Sequence, residues 1–499
     1  MQSKNFFVKQ YRKSPTGLLL TVTTCISFLF FLWGVDSWKF AFAGDEWSFY
    51  LFAKEIASAV QYPNPFSFAG VYNTHSVLAS IYQSIFLRIL GSSNFAWRLS
   101  NIILIFPLSY FFYRWAREYF TNEIAFISTI ILQSSFYLAN FFKIGYDNPQ
   151  SLTLFIICLF LVNHFRKNPT KKIAAWLGIT FGISFYIYMG PLFPFFLWPF
   201  FLPLIRIFHK KEVRKAVAVF VLCYLIVLSP IFASLDSLIP VINALGTPGS
   251  FHFKQTVLKD FLLFYKNNDY FYNHFVVGPY LDIITRIFCF IGTIVTLFRL
   301  RKSNYLFLLL SYITTTILIG STSPDWFSPT TRGIFFLPYG FIFAGIGVSF
   351  LIQKIKNESL AFVCCWYIIF AIFICNVYQS QIGVFEHPTP DNSGYTGMSL
   401  LIRSMMQAKE KQQSIIVVLS ASQSINQYMD IFPEMLQAYG LDSVKYKIVT
   451  PDEFRCQKSA ANVLVFQKDK EAIQQIAASH CSQNSFVKTS MLSPDITFF

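Results

Sequence analysis

The chain has 499 residues, of which 54% are hydrophobic and only 13% charged. A soluble domain carries about a quarter charged residues, so a water-soluble globule of this composition would be abnormal. The net charge of +15 does not point to nucleic acid, because most Lys and Arg fall in short clusters between apolar runs, the pattern of a polytopic membrane protein.

The N-terminus, MQSKNFFVKQYRKSP, is followed by GLLLTVTTCISFLFFLWGV. It is built like a signal peptide, but no small-residue cleavage site follows directly and the apolar run is longer than a usual signal core. We read it as an uncleaved first span. A spanning helix needs about 20 mostly apolar residues. On that criterion eleven spans are expected, at 17–35, 99–115, 123–142, 148–162, 173–189, 191–208, 216–234, 281–300, 305–320, 333–352 and 360–378. Alternate loops are basic: KQYRK (9–13), RWAR (114–117), RKNPTKK (166–172), RIFHKKEVRK (206–215), RLRK (299–302) and QKIK (353–356). The intervening short loops carry little charge. That alternation puts the N-terminus in the cytoplasm and, after eleven spans, the tail outside. The expected architecture is thus an α-helical transmembrane domain over 1–378 in the inner (cell) membrane, followed by a small extracytoplasmic α/β domain over 379–499.

Two outer loops are long, 36–98 and 235–280. The first holds EWSFYLFAKEIASAV and SVLASIYQSIFLRIL, amphipathic stretches that read as helices lying at the interface. The second, with GTPGS and YFYNHF, reads as a lid or ligand clamp. In the tail, 414–420, 444–449 and 462–466 have strand character, and SINQYMDIFPEMLQAYG and KEAIQQIAASH have helix character. No glycine-rich phosphate loop accompanies them. Seven of the nine cysteines lie in apolar runs and read as small buried hydrophobes. Cys456 and Cys481, in the tail, are a candidate disulfide if that compartment is oxidising.

The notable charges gather in the outer segments. Asp45 and Glu46 stand where the first amphipathic stretch begins, a position that also suits plain helix initiation. Asp147 precedes Asn148-Pro149 at the start of the fourth span, where an N-cap would serve equally. Arg98, Lys143, His75 and Arg332 are the outer-side cations. For Arg98 and Lys143, interfacial snorkelling is the competing reading. Asp325 is a partner for Arg332, His252 and Lys254 are weaker anion candidates, and Asp282 with Arg286 has the spacing of a helical salt bridge.

The ordered set of first span, Asp45-Glu46, amphipathic helix, turn with His75, Ala96-Trp97-Arg98-Leu99 and Asp147 resembles the polyprenyl-phosphate-sugar glycosyltransferases of the GT-C superfamily. It is most similar to family 39, the protein mannosyltransferase and lipid A aminoarabinose transferase branch. TTRGIFFLPYGFIFAGIG, with Arg332 and Pro338, resembles a further family segment, whereas YNTHSVL stands where the family has a Lys-Pro-Pro turn. The resemblance implies an inverting transfer from a polyprenyl-phosphate sugar to a cell-envelope acceptor (lipid, glycan or protein) outside the cytoplasm. It implies Asp45 as general base, with Glu46 and Asp147 as further catalytic carboxylates that orient the acceptor or hold a divalent cation. Arg98, Arg332, His75 and Lys143 are then the donor-phosphate ligands. The alternative is a transporter or flippase of lipid-linked glycans. It fits less well, because transporters place binding residues near the midplane of broken helices and the notable charges here sit at the outer edge.

Overall fold

The computed structural model describes residues 16–40, 42, 46–73, 75–188, 190–194, 197, 209–239, 262, 264–265, 279–322, 332–383, 397–418, 425–449, 461–466 and 490–492. The chain opens with α1 (Thr16–Leu32), then the amphipathic α2 (Glu46–Ser58) and α3 (Val77–Leu90). Helices α4 (Asn94–Ile102) and α5 (Ile105–Tyr119) run on as one 26-residue apolar span. There follow α6 (Asn122–Ser134), α7 (Phe136–Phe142), α8 (Asn148–Lys167), α9 (Lys171–Phe185) and α10 (Lys211–Leu228). The helical part closes with α11 (Ile283–Phe298), α12 (Ser303–Thr322), α13 (Leu337–Ile352) and α14 (Glu358–Tyr378).

Among the described residues, five helices are long and apolar enough to cross a membrane, or six if α6 and α7 form one bent span. Shorter apolar helices, Gly17–Leu32, Ile283–Phe298 and Ser303–Ile319, fall where further spans are expected. The expected span 191–208 and most of the loop 235–280, with His252 and Lys254, lie outside the described residues, as does Asp325.

Two expectations are corrected and a third is extended. The second span begins at Asn94, because Ser93 Oγ accepts from Ala96 N at 3.2 Å and starts the helix five residues before the apolar run does. The run 123–142 is not one straight helix: it bends by 52° between Ser134 and Phe136. The amide of Phe136, freed by that break, donates to Asn376 Oδ1 of α14 at 2.8 Å, which is what makes a break tolerable at membrane depth. Asp282 caps α11 through the amides of Ile284 and Thr285, at 3.0 and 2.9 Å, and its second oxygen accepts from Asn376 at 2.7 Å. Beside its expected charge attraction to Arg286, it thus caps the helix and ties it to α14.

Close helix contact depends on small residues. At the crossing of α11 and α13, a Cβ on Gly292 would lie 1.7 Å from Phe343 O, and one on Gly347 would lie 2.1 Å from Phe288 O.

The last part of the chain carries α15 (Gly397–Lys411), β1 (Ser414–Val418), α16 (Ile425–Ala438), β2 (Tyr446–Val449), β3 (Ala461–Phe466) and β4 (Ser490–Leu492). The sheet is parallel in the order β2-β1-β3-β4, with Ile415 paired to both Tyr446 and Asn462, and Leu464 to Ser490. Strand β1, SIIVV, is central, and its continuous apolar run suits a strand covered on both faces. The expected helix at 470–480 and both Cys456 and Cys481 lie outside the described residues.

The two ends of the helical bundle differ. At one end Glu118 pairs with His164 and Lys167 at 3.3 and 3.6 Å, and Arg166 lies over the rings of Tyr119 and Phe307. At the other, the 36–98 segment, the α7–α8 turn, the end of α9 and the start of α13 meet. The C-terminal α/β unit docks there: Lys54 pairs with Glu434, and the Arg403 guanidinium lies 4.8 Å from the centre of the Trp38 ring.

Candidate active site

The first cluster is built around Glu46, at the start of α2 and fully buried. One oxygen, Oε1, receives three donors: Trp97 Nε1 at 2.9 Å, the amide of Gly145 at 2.7 Å and the Arg98 guanidinium at 2.8 Å. Gly145 must lack a side chain, since a Cβ there would stand 2.0 Å from the Trp97 indole. Arg98 also donates from Nε to Asn94 Oδ1 at 3.0 Å, from Nη2 to Phe40 O at 2.8 Å and from Nη1 to Lys143 O. A buried ion pair persists only when its remaining valences are met, and these are. Glu46 and Arg98 thus tie α2, α4 and the α7–α8 turn together. Arg98, 1% exposed, is neither a snorkelling side chain nor free to hold a phosphate. The Oε1 of Glu46 is taken up by these three donors. Among the described residues no three of His, Cys, Asp and Glu gather to hold a metal ion.

Lys143 ends α7 with its side chain buried and its Nζ 4.0 Å from the centre of the Phe40 ring. That nitrogen has no hydrogen-bond partner among the described residues. Burial, with the Arg98 charge beside it, pushes its ammonium down to about 7. It does not reach a surface where a lipid phosphate would sit.

The second cluster is different in kind. Asp147 holds the N-cap position of α8, but its carboxylate makes no cap hydrogen bond. Pro149 occupies the first turn, where its missing N–H leaves one donor fewer to cap. The carboxylate turns away instead, with Oδ2 3.2 Å from His75 Nδ1. Asp147 is fully buried, and its Oδ1 has no hydrogen-bond partner among the described residues. His75 is presented by a tight turn in which Tyr72 and Asn73 both take φ of 55° and Gly70 N donates to His75 O at 3.1 Å. Left-handed non-glycine residues cost about 1–3 kcal/mol each and persist where the surroundings hold them.

The His75 ring stacks on Tyr188 at 5.6 Å and meets Phe49 edge-on at 4.7 Å. The Tyr188 hydroxyl accepts from Arg332 Nε at 3.0 Å. Arg332 Nη1 is buried and has no hydrogen-bond partner among the described residues. One aromatic side chain therefore brings His75 and Arg332 to the same place, with unfilled valences on Asp147 and Arg332 beside it. Chemically, this is a partly dry site with an oriented imidazole and a guanidinium still able to donate. Sequence reading named Asp147, His75 and Arg332 and missed Tyr188, whose only signal is an aromatic residue at the end of an expected span (FYIYMG). Asp45 lies outside the described residues, one position before Glu46.

Residues 74–233, which include His75, Arg98, Lys143, Asp147 and Tyr188, match the family of dolichyl-phosphate-mannose-protein mannosyltransferases. Among solved structures, the apo oligosaccharyltransferase of Archaeoglobus fulgidus superimposes with a TM-score of 0.53 at 14% identity, covering 89% of this chain and 65% of that one. ArnT from Cupriavidus metallidurans bound to undecaprenyl phosphate does so with a TM-score of 0.50 at 11% identity, covering 93% and 95%. The chain has the GT-C fold. The resemblance read from its sequence agrees with the family match over residues 74–233 and with this shared fold. This GT-C chain spans less than two thirds of the length of the archaeal enzyme in that match. No curated protein matches its sequence.

Proposed function

We propose that this GT-C chain is an inverting glycosyltransferase that moves a sugar from a polyprenyl phosphate to a cell-envelope acceptor on the extracytoplasmic face. The observation that carries this reading is the pair of buried Asp147 and half-buried His75, joined through Tyr188 to Arg332. The undecaprenyl phosphate bound to ArnT, and the acceptor peptide tethered to the archaeal enzyme in a further match with a TM-score of 0.52, are the kinds of partner the reading supplies here. The alternating basic loops support a cytoplasmic N-terminus and a site outside.

In the proposed step, the acceptor oxygen attacks C1 of the sugar as the C1–O bond to phosphate breaks. The acceptor proton passes to the Asp45 carboxylate, and the bonding pair leaves with the polyprenyl phosphate. Arg332 Nη1 and the His75 Nε2 edge face the departing phosphate, whose growing charge needs fixed donors. Asp147 fixes the imidazole, as a buried carboxylate does for a ring nitrogen. Glu46 acts beneath the site by holding α2, on which the residue after Asp45 begins.

Incubation of the purified full-length protein with radiolabelled polyprenyl-phosphate sugars and membrane extract, followed by identification of the labelled product, tests the reading. Asp45→Asn is expected to lower the rate about 10²–10⁴-fold with donor binding retained. Arg332→Gln is expected to weaken donor binding as well as turnover. An Asp45→Asn protein that inserts normally and turns over at the wild-type rate, beside an inactive Asp147→Asn protein, would move the base to Asp147. Absence of labelled product from every donor would end the proposal.

A further inference from the structure

The C-terminal α/β unit reaches into the Glu46 cluster through one residue. Helix α16 ends at Ala438, and Gly440 beyond it takes φ of +63°, which closes the helix by letting Leu441 N donate to Leu436 O at 2.6 Å. Lys409 Nζ of α15 donates to Gly440 O at 2.6 Å. Tyr439, between them, is therefore held by a rigid turn. Its ring packs 5.7 Å from that of Phe42, which itself lies 4.4 Å from Trp47 and 5.1 Å from Tyr50. Its hydroxyl donates to Phe40 O at 3.4 Å.

The same backbone stretch is held at both ends by the unit, since Arg403 lies over Trp38 and Lys54 pairs with Glu434 and donates to Gln437 Oε1 at 2.7 Å. Phe40 and Phe42, which make two of the Tyr439 contacts, stand five and three residues before Asp45 in the sequence. Arg98 shares both, donating to Phe40 O and lying 5.0 Å from the centre of the Phe42 ring.

We propose that Tyr439 is a positioning residue: its hydroxyl shares the Phe40 carbonyl with Arg98 and its ring packs against Phe42, and so it holds Phe40 and Phe42, which stand five and three residues before the proposed base Asp45 in the sequence. The C-terminal unit is then a working part of the transferase site. The catalytic half of this inference rests on Asp45 being the base; the structural half does not. A hydroxyl in this place matters because reacting groups misplaced by about 1 Å lose up to roughly 100-fold in rate.

The test uses the full-length protein in detergent and the radiolabelled polyprenyl-phosphate sugar that the transfer assay selects. Tyr439→Phe keeps the ring against Phe42 and removes only the hydroxyl. Amide exchange over residues 38–46 should quicken about tenfold, roughly the loss of one hydrogen bond, while exchange in α8 and α13 stays as in wild type. The kcat should fall about tenfold with the donor KM little changed. In an Asp45→Asn background the same change should lower kcat no further, since the two act on one group.

Wild-type exchange over 38–46 in Tyr439→Phe overturns the proposal whatever the assay shows. Faster exchange with an undiminished kcat overturns its catalytic half. Asp45→Asn turning over at the wild-type rate while Tyr439→Phe is slow instead overturns the assignment of the base and leaves Tyr439 in place. Lys54→Glu and Glu434→Lys give an independent measure: each alone should quicken the same peptide, and the double reversal should restore it. Failure of the single variants to alter exchange counts against docking as the means.

Discussion

At the scale of single residues, adjacency in the sequence conceals opposite destinies. Glu46 and Arg98 were legible as charged residues at the right points of the family pattern. That they neutralise each other at 2.8 Å is a fact of the third dimension, and no spacing along the chain announces it. Asp147 looked as much like a helix cap as a catalytic group, and it is the direction of its carboxylate, toward His75, that separates the two. Lys143 departs furthest from its expected place. Its folded value of about 7 lies below the ordinary 10.5, so between those values the unfolded chain holds a proton that the folded chain gives up. Stability therefore rises with pH across that window, and the full penalty applies below it. Lys143→Met should raise the thermal midpoint at pH 7 by about 2–5 °C. The gain should shrink toward pH 10. Circular-dichroism melts at the two pH values check this, and a lowered midpoint at pH 7 would show that the ammonium has a favourable partner.

Elements were more legible than their breaks. Continuous apolarity marks helices such as α8 and α13, and alternation with polar residues marks α2 and α3, because burial against lipid or protein leaves a period in the sequence. The bend at Ser135 leaves no such trace: the amide of Phe136 that it frees is satisfied by Asn376, 240 positions away. Strand β4 escaped notice for a related reason, since three residues, SML, carry no period at all. Glycines in apolar runs are equally silent about which of them matter. Gly292→Ala should force α11 and α13 apart, because the new methyl meets the backbone oxygen of Phe343. A loss of about 1–3 kcal/mol is expected from such overpacking. Gly17→Ala, where nothing lies within 4 Å, should be near neutral. Thermal unfolding of the two variants in one detergent makes the comparison, and equal midpoints would refute the close crossing.

For the molecule as a whole, the basic loops and the site can be set against each other. Val60 and Glu410 are exposed on the end that holds Asp147 and Arg332, and Lys172 is exposed at the opposite end. Cysteines placed at Val60 and Glu410 should react with an impermeant maleimide added outside sealed cells, and one placed at Lys172 should not. Labelling of Val60 and Glu410 from opposite sides would separate the C-terminal unit from the site and remove the basis for Tyr439.

The gathering of His75, Asp147 and Arg332 at one end of the bundle has an energetic meaning. On this reading the acceptor proton, the guanidinium and the departing phosphate all remain on one side of the hydrocarbon. No charge traverses the electric field during turnover. The transfer is then electroneutral, driven by cleavage of the sugar–phosphate bond alone and indifferent to the membrane potential. On the same reading it needs no nucleotide, because the activated sugar arrives on a lipid.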